Sequence, residues 1–309
     1  MMTNQLMEVP APAISARRQA RRDLVAALPW LMPALTLIVT IVLFPAGYLV
    51  WTSTRNVSPV GVDRGSAGFD NYVTLFDSPA LGRVLLNTAI WVVGVVVVTL
   101  LVSMALAQFL DKAFPGRRLV RLAVIVPWAA SVVMTATVFY YGLDPFYGVM
   151  NQFLVDLGIL NTGFGFTRQP VPAFLVAMGV AVFVSLPFTT YTILAGLQMV
   201  PREVVEAASV DGAGSIRTYW SVIFPVLRPA IAVAVLINII NVFNSLPILR
   251  TLTGSIPGYD ADTTTTLIFK YIQQDRQVET ASALSVVNFV IVLAVIGIYL
   301  RVVRPMRDE

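Results

Sequence analysis

Cysteine and histidine are absent from this chain of 309 residues. Their absence excludes disulfides, thiol nucleophiles and imidazole bases, and it removes the ligands of most zinc sites. The pattern G-x-x-x-x-G-K-[ST], whose backbone binds nucleotide phosphates, is also missing, and no cluster of carboxylates replaces these groups. We therefore predict no catalytic residue, no metal site and no cofactor, and we do not expect an enzyme.

Charged residues are scarce as well. They make up 12% of the chain, against 57% for hydrophobic residues, and the mean hydropathy is +0.78. Soluble domains usually carry about 25% charged residues. A deficit of charge that extends over the whole length is typical of an integral membrane protein.

Six uncharged runs are long enough to cross a bilayer, which takes about 20 residues in a helix. The first run follows four arginines, as in a signal peptide, but its 24 residues exceed the usual apolar stretch of a signal. We expect it to be retained behind a basic tail at 1–27, and a short tail at 305–309 to follow the 28–304 membrane domain. The runs predict an all-α, polytopic membrane protein with six spans, at 28–51, 84–110, 122–143, 171–201, 229–249 and 280–300.

Basic residues are distributed unevenly between the two sides that six spans create. With the N-terminus inside, 14 of the 21 lysines and arginines fall on the inner side and 7 on the outer side. Because positively charged loops tend to stay in the cytoplasm, this bias predicts that both termini are cytoplasmic. The polar stretch at 202–228 is then a cytoplasmic loop.

Asparagine stands out inside the predicted spans, because the six runs contain no ionisable side chain other than tyrosine. Ion-coupled carriers usually need a buried carboxylate or an opened backbone, so a carrier of that kind is disfavoured. In the fifth run Asn238, Asn241, Asn244 and Ser245 share one broad helical face. Such side chains either line a polar cavity or bond neighbouring helices, and the pattern fits both.

The predicted cytoplasmic loop, EVVEAASVDGAGSIRTYWSVIFP, has the signals of two short helices joined by a tight turn. Pro201 suits the first position of a helix and Glu203 its first turn. Gly212 can adopt the left-handed conformation that closes a helix. Ser215 is a candidate N-cap for a second helix, which we predict to stop at Pro225.

The first of these helices has the features of a surface that docks into another protein. Ala207 and Ala208 are small enough to let another backbone approach, and Glu206 offers a carboxylate to an arginine. An ordinary re-entrant helix pair fits the same residues.

The segment EAASVDGAGSIRTYWSVIFP resembles the EAA loop of ABC-importer permeases, the bacterial inner-membrane subunits that pair with a cytoplasmic ATPase. That family's pattern is Glu-Ala-Ala, three residues, Gly, nine residues and then Ile-x-Leu-Pro. Val222 and Phe224 stand where the pattern has Ile and Leu. The matching positions are Glu206, Ala207, Ala208, Gly212 and Pro225.

Other segments resemble the carbohydrate branch of that family, which imports maltose, trehalose, other oligosaccharides and glycerol phosphates. They are FDNYVTLFDSPALGRVLLNTAIW, GVMNQFLVDLGIL and LTGSIPGYDADTTTTLIFKYI with ASALSV. The resemblance implies the type I ABC importer permease fold, a multi-pass location in the bacterial inner membrane, and ATP hydrolysis by separate subunits.

The resemblance also implies partners and site residues. The partners are a second, different permease, a cytoplasmic ATPase dimer, an external solute-binding protein and a disaccharide or oligosaccharide, in the lipid bilayer and without nucleic acid. The implied coupling residues are Glu206, Ala207, Ala208, Asp211, Gly212 and Pro225. The implied substrate pathway is on the fourth and fifth helices, at Ser185, Phe188, Tyr191, Asn238, Asn241, Asn244 and Ser245.

Several alternatives remain open on the sequence alone. A permease for another class of solute has the same EAA loop, and two identical permeases fit as well as two different ones. Pro127, Pro187 and Pro247 can bend the third to fifth spans, either as static kinks or as part of a transport motion. Apolar residues spaced as in surface helices either cap the bundle or receive an external partner, in the stretches 69–88, 146–160 and 263–274.

Single introduced cysteines test the predicted orientation, because the chain has none of its own. A cysteine at position 116 or 214 should react with a membrane-impermeant maleimide only from the cytoplasmic side. One at position 66 or 258 should react only from outside. Labelling of position 214 from outside would contradict the cytoplasmic assignment of the loop.

Overall fold

The computed structural model describes residues 27–303, which are mostly helical. The predicted tails at 1–27 and 305–309 lie outside the described residues, apart from Ala27. The chain divides after Thr52 into two compact units. The predicted all-α class is confirmed apart from one small hairpin, in which β1 (Arg55–Val57) pairs antiparallel with β2 (Asp63–Ser66).

The first unit contains the helix α1 (Ala27–Thr52), which overlaps the predicted span at 28–51. Its apolar side chains, among them Trp30, Ile41 and Phe44, are exposed along the helix. A helix that is apolar on all sides suits hydrocarbon rather than water.

The remaining helices belong to the second unit. In chain order they are α2 (Asp70–Phe76), α3 (Pro79–Asp111), α4 (Arg117–Ala129), α5 (Val132–Gly142), α6 (Val149–Asp156), α7 (Pro170–Gln198), α8 (Arg202–Val210), α9 (Ser215–Phe243), α10 (Leu246–Thr253), α11 (Thr264–Gln273) and α12 (Val278–Val303).

Five helices within residues 27–303 are long and apolar enough to cross a membrane, namely α1, α3, α7, α9 and α12. The pair α4–α5 makes a sixth if the two helices together form one broken crossing. The predicted number of six spans therefore depends on this pair.

The third predicted span, 122–143, is not a straight helix. It is divided into α4 and α5, which meet at an angle of 96°. Ala130 and Ser131 between them have extended backbone conformations. Pro127 lies inside α4, three residues before the break, and has no N–H to donate to the carbonyl one turn earlier. Pro187, by contrast, lies inside the continuous helix α7.

The predicted end of the fifth span, at residue 249, does not coincide with the end of a helix. The helix α9 stops at Phe243, and α10 begins after Asn244 and Ser245. Pro247 lies in the first turn of α10, where its missing N–H would have had no helical partner anyway. An uncharged run thus continues through a break in the helix.

The segments 53–78, 143–169 and 246–277, which we call the cap, gather where α3, α7 and α12 begin. In one of them, the buried Asn151 donates to the carbonyls of Leu143 and Phe164 at 2.9 and 2.7 Å. In another, Asn71 donates to the carbonyls of Ser53 and Arg55, both at 2.9 Å. Buried amides thus join backbone segments of the cap that are separated in the sequence.

The core of the bundle lies where α3, α7 and α9 meet. Trp91 is buried, and its indole N–H donates to the carbonyl of Val242 at 2.9 Å. Gly94 lies directly against the side chain of Met178. Small residues let membrane helices approach closely, where packing rather than escape from water provides the attraction.

Two opposite charges are buried in the cap. Asp262 and Lys270 form an ion pair of 2.6 Å, and their side chains are 3% and 8% exposed. Lys270 also donates to the carbonyl of Gly258 at 2.6 Å. Asn87, near the start of α3, donates to the carbonyls of Asp260 and Asp262. Burial raises the pKa of the Asp262 carboxyl, although the hydrogen bond from Lys270 opposes the rise.

Replacing Lys270 with methionine should lower the stability of the folded protein by about 3–5 kcal/mol, because it leaves a buried carboxylate without its partner. Thermal unfolding in detergent measures the effect. The matched control is Arg168→Met, since Arg168 and Asp144 form only an exposed pair of 3.7 Å, which contributes little. Equal unfolding temperatures for the two variants would contradict the structural role of the buried pair.

The deficit of the Lys270→Met variant should also depend on pH. Burial raises the folded-state pKa of Asp262 above its ordinary value of 3.8, and the hydrogen bond from Lys270 opposes that rise in the wild-type protein. Because the variant lacks this opposition, its folded-state pKa should be higher than that of the wild-type protein. The deficit should be full above the folded-state pKa of the variant and should disappear as the pH falls to that of the wild-type protein, where the carboxyl is protonated in both. A deficit that grows with acidification would contradict this assignment.

Candidate functional site

A cavity of about 470 Å³ lies between α7, the bent pair α4–α5 and the junction of α9 with α10. Amide and hydroxyl side chains share its walls with apolar and aromatic ones such as Trp128, Val132 and Ile248. Within the part of the chain that the structure describes, none of the lining residues is acidic or basic. The cavity can therefore hydrogen-bond neutral polar groups and pack against flat apolar surfaces.

Two helix breaks meet at this cavity. Trp128 and Val132 lie on either side of the break between α4 and α5, while Asn244, Ser245 and Pro247 surround the break between α9 and α10. At membrane depth, non-helical backbone is tolerated only where it is buried in protein or lines a water-filled cavity. Both breaks adjoin this cavity, so their non-helical backbone lies in a place where it is tolerated.

Six of the seven residues predicted for the substrate pathway lie together here. The exception is Tyr191, whose hydroxyl donates to the carbonyl of Arg121 at 2.7 Å, between α7 and α4. The six that line the cavity are Ser185, Phe188, Asn238, Asn241, Asn244 and Ser245. Their contact with a substrate stays a prediction.

The three asparagines differ in their surroundings. Asn238 is buried, and its amide donates to the Thr189 hydroxyl on α7 at 2.6 Å. Asn244 donates to the carbonyl of Ile240, which the end of α9 would otherwise leave unpaired. Asn241 is exposed, and its side chain has no hydrogen-bond partner within residues 27–303. Asn238 thus joins two helices, whereas Asn241 has its amide free for a ligand.

Trp128 and Val132 were not among the predicted pathway residues. They reach the cavity only because the third span bends, so periodicity along a straight helix does not place them there. Pro127 was the one signal in the sequence that could have indicated the bend.

At the opposite end of α7, the predicted cytoplasmic loop forms the helix α8 and a tight turn. Glu203 lies in the first turn of α8, as predicted. Gly212 has a φ of +77°, and its N–H donates to the carbonyl of Ser209 at 3.1 Å. The prediction that a left-handed glycine closes this helix is confirmed.

The residues predicted for coupling lie mainly on the surface of this loop. Glu206, Ala207 and Asp211 are exposed, and Ala208 is partly exposed. Glu206 lies at a groove of about 380 Å³, which Asp111 at the end of α3 and Gln198 at the end of α7 also line. Among residues 27–303, no basic side chain forms an ion pair with Glu206.

Three details of the predicted loop were wrong. Pro201 precedes α8 and does not occupy its first position, and Gly214 rather than Ser215 is the N-cap of α9. Pro225 does not end the second helix. The preceding turn, Tyr219–Ile223, is π-helical, with a wider spacing of hydrogen bonds, and the helix continues through Pro225 to Phe243.

The cavity and the loop are therefore parts of one continuous structure. The loop is the direct connection between α7, which carries Ser185 and Phe188, and α9, which carries Asn238 and Asn241. Because α9 is continuous, its first residue, Ser215, lies roughly 35 Å along the helix from Asn238. A displacement of the loop would move two walls of the cavity.

Comparison with known proteins places these features in a family. The sequence profile described as "binding-protein-dependent transport system inner membrane component" matches residues 99–307. The chain is 32% identical to a probable ABC transporter permease protein of Brucella suis biovar 1, over 88% of this chain and 94% of that protein. It is also 32% identical to the sulfoquinovosyl glycerol transport system permease protein of Agrobacterium fabrum, over 91% of both chains.

The fold is similar to that of a solved structure. A chain in the crystal structure of a bacterial ABC transporter involved in the import of the acidic polysaccharide alginate superposes with a TM-score of 0.81. The match covers 94% of this chain and 99% of the other, at 21% sequence identity. At that level of identity the similarity concerns the fold alone.

Proposed function

This chain belongs to the family of binding-protein-dependent transport system inner membrane components, and from this premise we propose that it is one permease subunit of an ATP-driven importer that takes up a carbohydrate. An external solute-binding protein delivers the carbohydrate, a second permease of different sequence completes the pathway, and a cytoplasmic ATPase dimer drives transport. The chain itself hydrolyses no ATP, in keeping with the lack of a phosphate-binding loop.

The connection between loop and cavity carries the proposal. An importer must convert a movement of its ATPase into a change of access to a site within the membrane. Here the exposed loop with Glu206 joins the two helices that line the polar cavity, and α9 extends from one to the other without interruption. Two-state motion of such a rigid element is a physical means of coupling distant sites.

The carbohydrate is supported by the chemistry of the cavity and by one relative. The amides of Asn241 and Asn244 and the hydroxyl of Ser245 can bond sugar hydroxyls, and the rings of Trp128 and Phe188 can pack against the apolar face of a sugar. The Agrobacterium relative is named for the transport of sulfoquinovosyl glycerol, a glycoside. The ligand of the cognate binding protein would distinguish a carbohydrate from another solute.

Asn241→Leu and Ser245→Leu should each reduce sugar uptake about fivefold or more, because a hydrogen bond to a buried partner accounts for about 1–3 kcal/mol. Uptake into proteoliposomes that contain the assembled importer is the measurement. Asn238→Leu serves as the comparison for a residue that joins two helices. This variant should lower the thermal stability of the protein, because it removes the hydrogen bond to Thr189. Normal uptake in both of the first two variants would remove these residues from the pathway.

Glu206→Ala should weaken association with the ATPase subunit by about 2–5 kcal/mol, because it leaves a desolvated arginine of the partner unpaired. Copurification and sugar-stimulated ATP hydrolysis measure the effect. Glu203→Ala is the matched control, since Glu203 lies on the same short helix, one turn earlier. If Glu206→Ala behaves like this control in both assays, the loop is not the coupling element.

Gly212→Val should disturb the same assays by a different route. A β-branched residue resists a φ of +77° even though nothing lies within 4 Å of the added carbon, so the start of α9 should be displaced with Glu206 unchanged. Gly214→Ala is the control, because Gly214 has an ordinary φ of −65°. Both variants should insert in the membrane, and wild-type coupling in Gly212→Val would contradict the need for this turn.

A further inference from the structure

An apolar groove of about 340 Å³ runs between α9 and α12 on the surface of the bundle, apart from the cavity and the coupling loop. Val233 on α9 and Leu300 on α12 form part of its walls and are 51% and 47% exposed. The groove is therefore open towards the surroundings of the helices, which in a bilayer are lipid chains.

Among the described residues that line the groove, one polar side chain is available to a ligand. The hydroxyl of Tyr299 already donates to the carbonyl of Ala232 at 2.7 Å. Arg228 is half-buried, and its side chain has neither a hydrogen bond nor an ion pair within residues 27–303. No carboxylate among these described residues lines the groove, so the guanidinium has no counter-charge within them.

Arg228 lies at the edge of the membrane-spanning part of the bundle. It is the last basic residue before the uncharged run of α9, and Arg301 is the first basic residue after the uncharged run of α12. The bond between Tyr299 and Ala232 brings the end of α12 alongside the middle of α9, one turn beyond Arg228. Both arginines are therefore at the level of the lipid headgroups of one leaflet.

We propose that this groove binds an anionic phospholipid, with one acyl chain between α9 and α12 and the phosphate on Arg228. The walls offer no free hydrogen-bonding group apart from Arg228, which suits an unbranched hydrocarbon chain. The planar guanidinium binds phosphate oxygens in pairs, and Arg301 adds positive potential that favours a net negative headgroup.

A protein helix is a poorer occupant of the same groove. A helix with its side chains is about 10–12 Å wide, whereas the groove has a volume of only about 340 Å³. An apolar helix would also leave Arg228 unpaired in an apolar contact, which is costly. A phospholipid can place an acyl chain in the apolar groove and its phosphate on Arg228 at the same time.

Native mass spectrometry of the assembled importer tests the proposal by titration with phosphatidylglycerol or phosphatidylcholine of identical chains. The tightest binding step should favour phosphatidylglycerol about fivefold, as expected for one basic residue near the surface. Arg228→Gln should reduce this preference, because only Arg301 then favours a net negative headgroup, and Arg228→Lys should retain most of it. Arg217→Gln is the control, because Arg217 is exposed on the first turn of α9 and does not line the groove.

The variant Ala232→Leu separates the contribution that the acyl chain makes to lipid affinity from the contribution of the headgroup. The larger side chain narrows the groove without changing a charge, so it should weaken the binding of both lipids equally. An unchanged preference in Arg228→Gln would overturn the proposal. It would also be overturned if Ala232→Leu affected neither lipid, since the groove would then be covered by protein in the assembled importer.

Discussion

Every backbone polar group inside a bilayer must find its hydrogen-bond partner within the protein, and this constraint organises the whole chain. Most of the chain satisfies it with long helices, in which each residue bonds within its own segment. Two breaks depart from this rule, at Ala130–Ser131 and at Asn244–Ser245. Both border the same polar cavity, so the irregular backbone and the candidate pathway have one physical cause. Asn244 illustrates the compensation, because its side chain bonds a carbonyl that the helix end leaves free.

The same constraint bears on the continuity of α9 between the loop and the cavity. Pro225 cannot donate a hydrogen bond, and in an ordinary helix it would bend or end the segment. The π-helical turn at Tyr219–Ile223 changes the hydrogen-bond spacing just before it, and the helix continues. The proposed coupling function depends on this continuity, since a flexible joint at Pro225 would absorb a movement of the loop before it reached the cavity.

Charged side chains lie towards the two ends of the bundle, and they are paired differently at each end. In the cap, Asp262 and Lys270 neutralise each other in a buried pair that anchors the segment between α10 and α11. On the predicted cytoplasmic side, Glu206 and Arg228 have no ion pair within the described residues. A charge that the fold leaves unpaired at a groove is available to a partner, which is an ATPase in the proposal for Glu206 and a lipid headgroup in the proposal for Arg228.

The sequence alone determined the class of protein, the number of apolar segments and the loop with its left-handed glycine. These features depend on local quantities, namely the transfer free energy of a segment and the conformational freedom of Gly212. The tertiary structure decided where the helices break, that Asn238 bonds α7 while Asn241 faces the cavity, and that Trp128 reaches the same cavity. Those outcomes depend on which neighbour satisfies each polar group, and hydropathy along a single segment contains no information about neighbours.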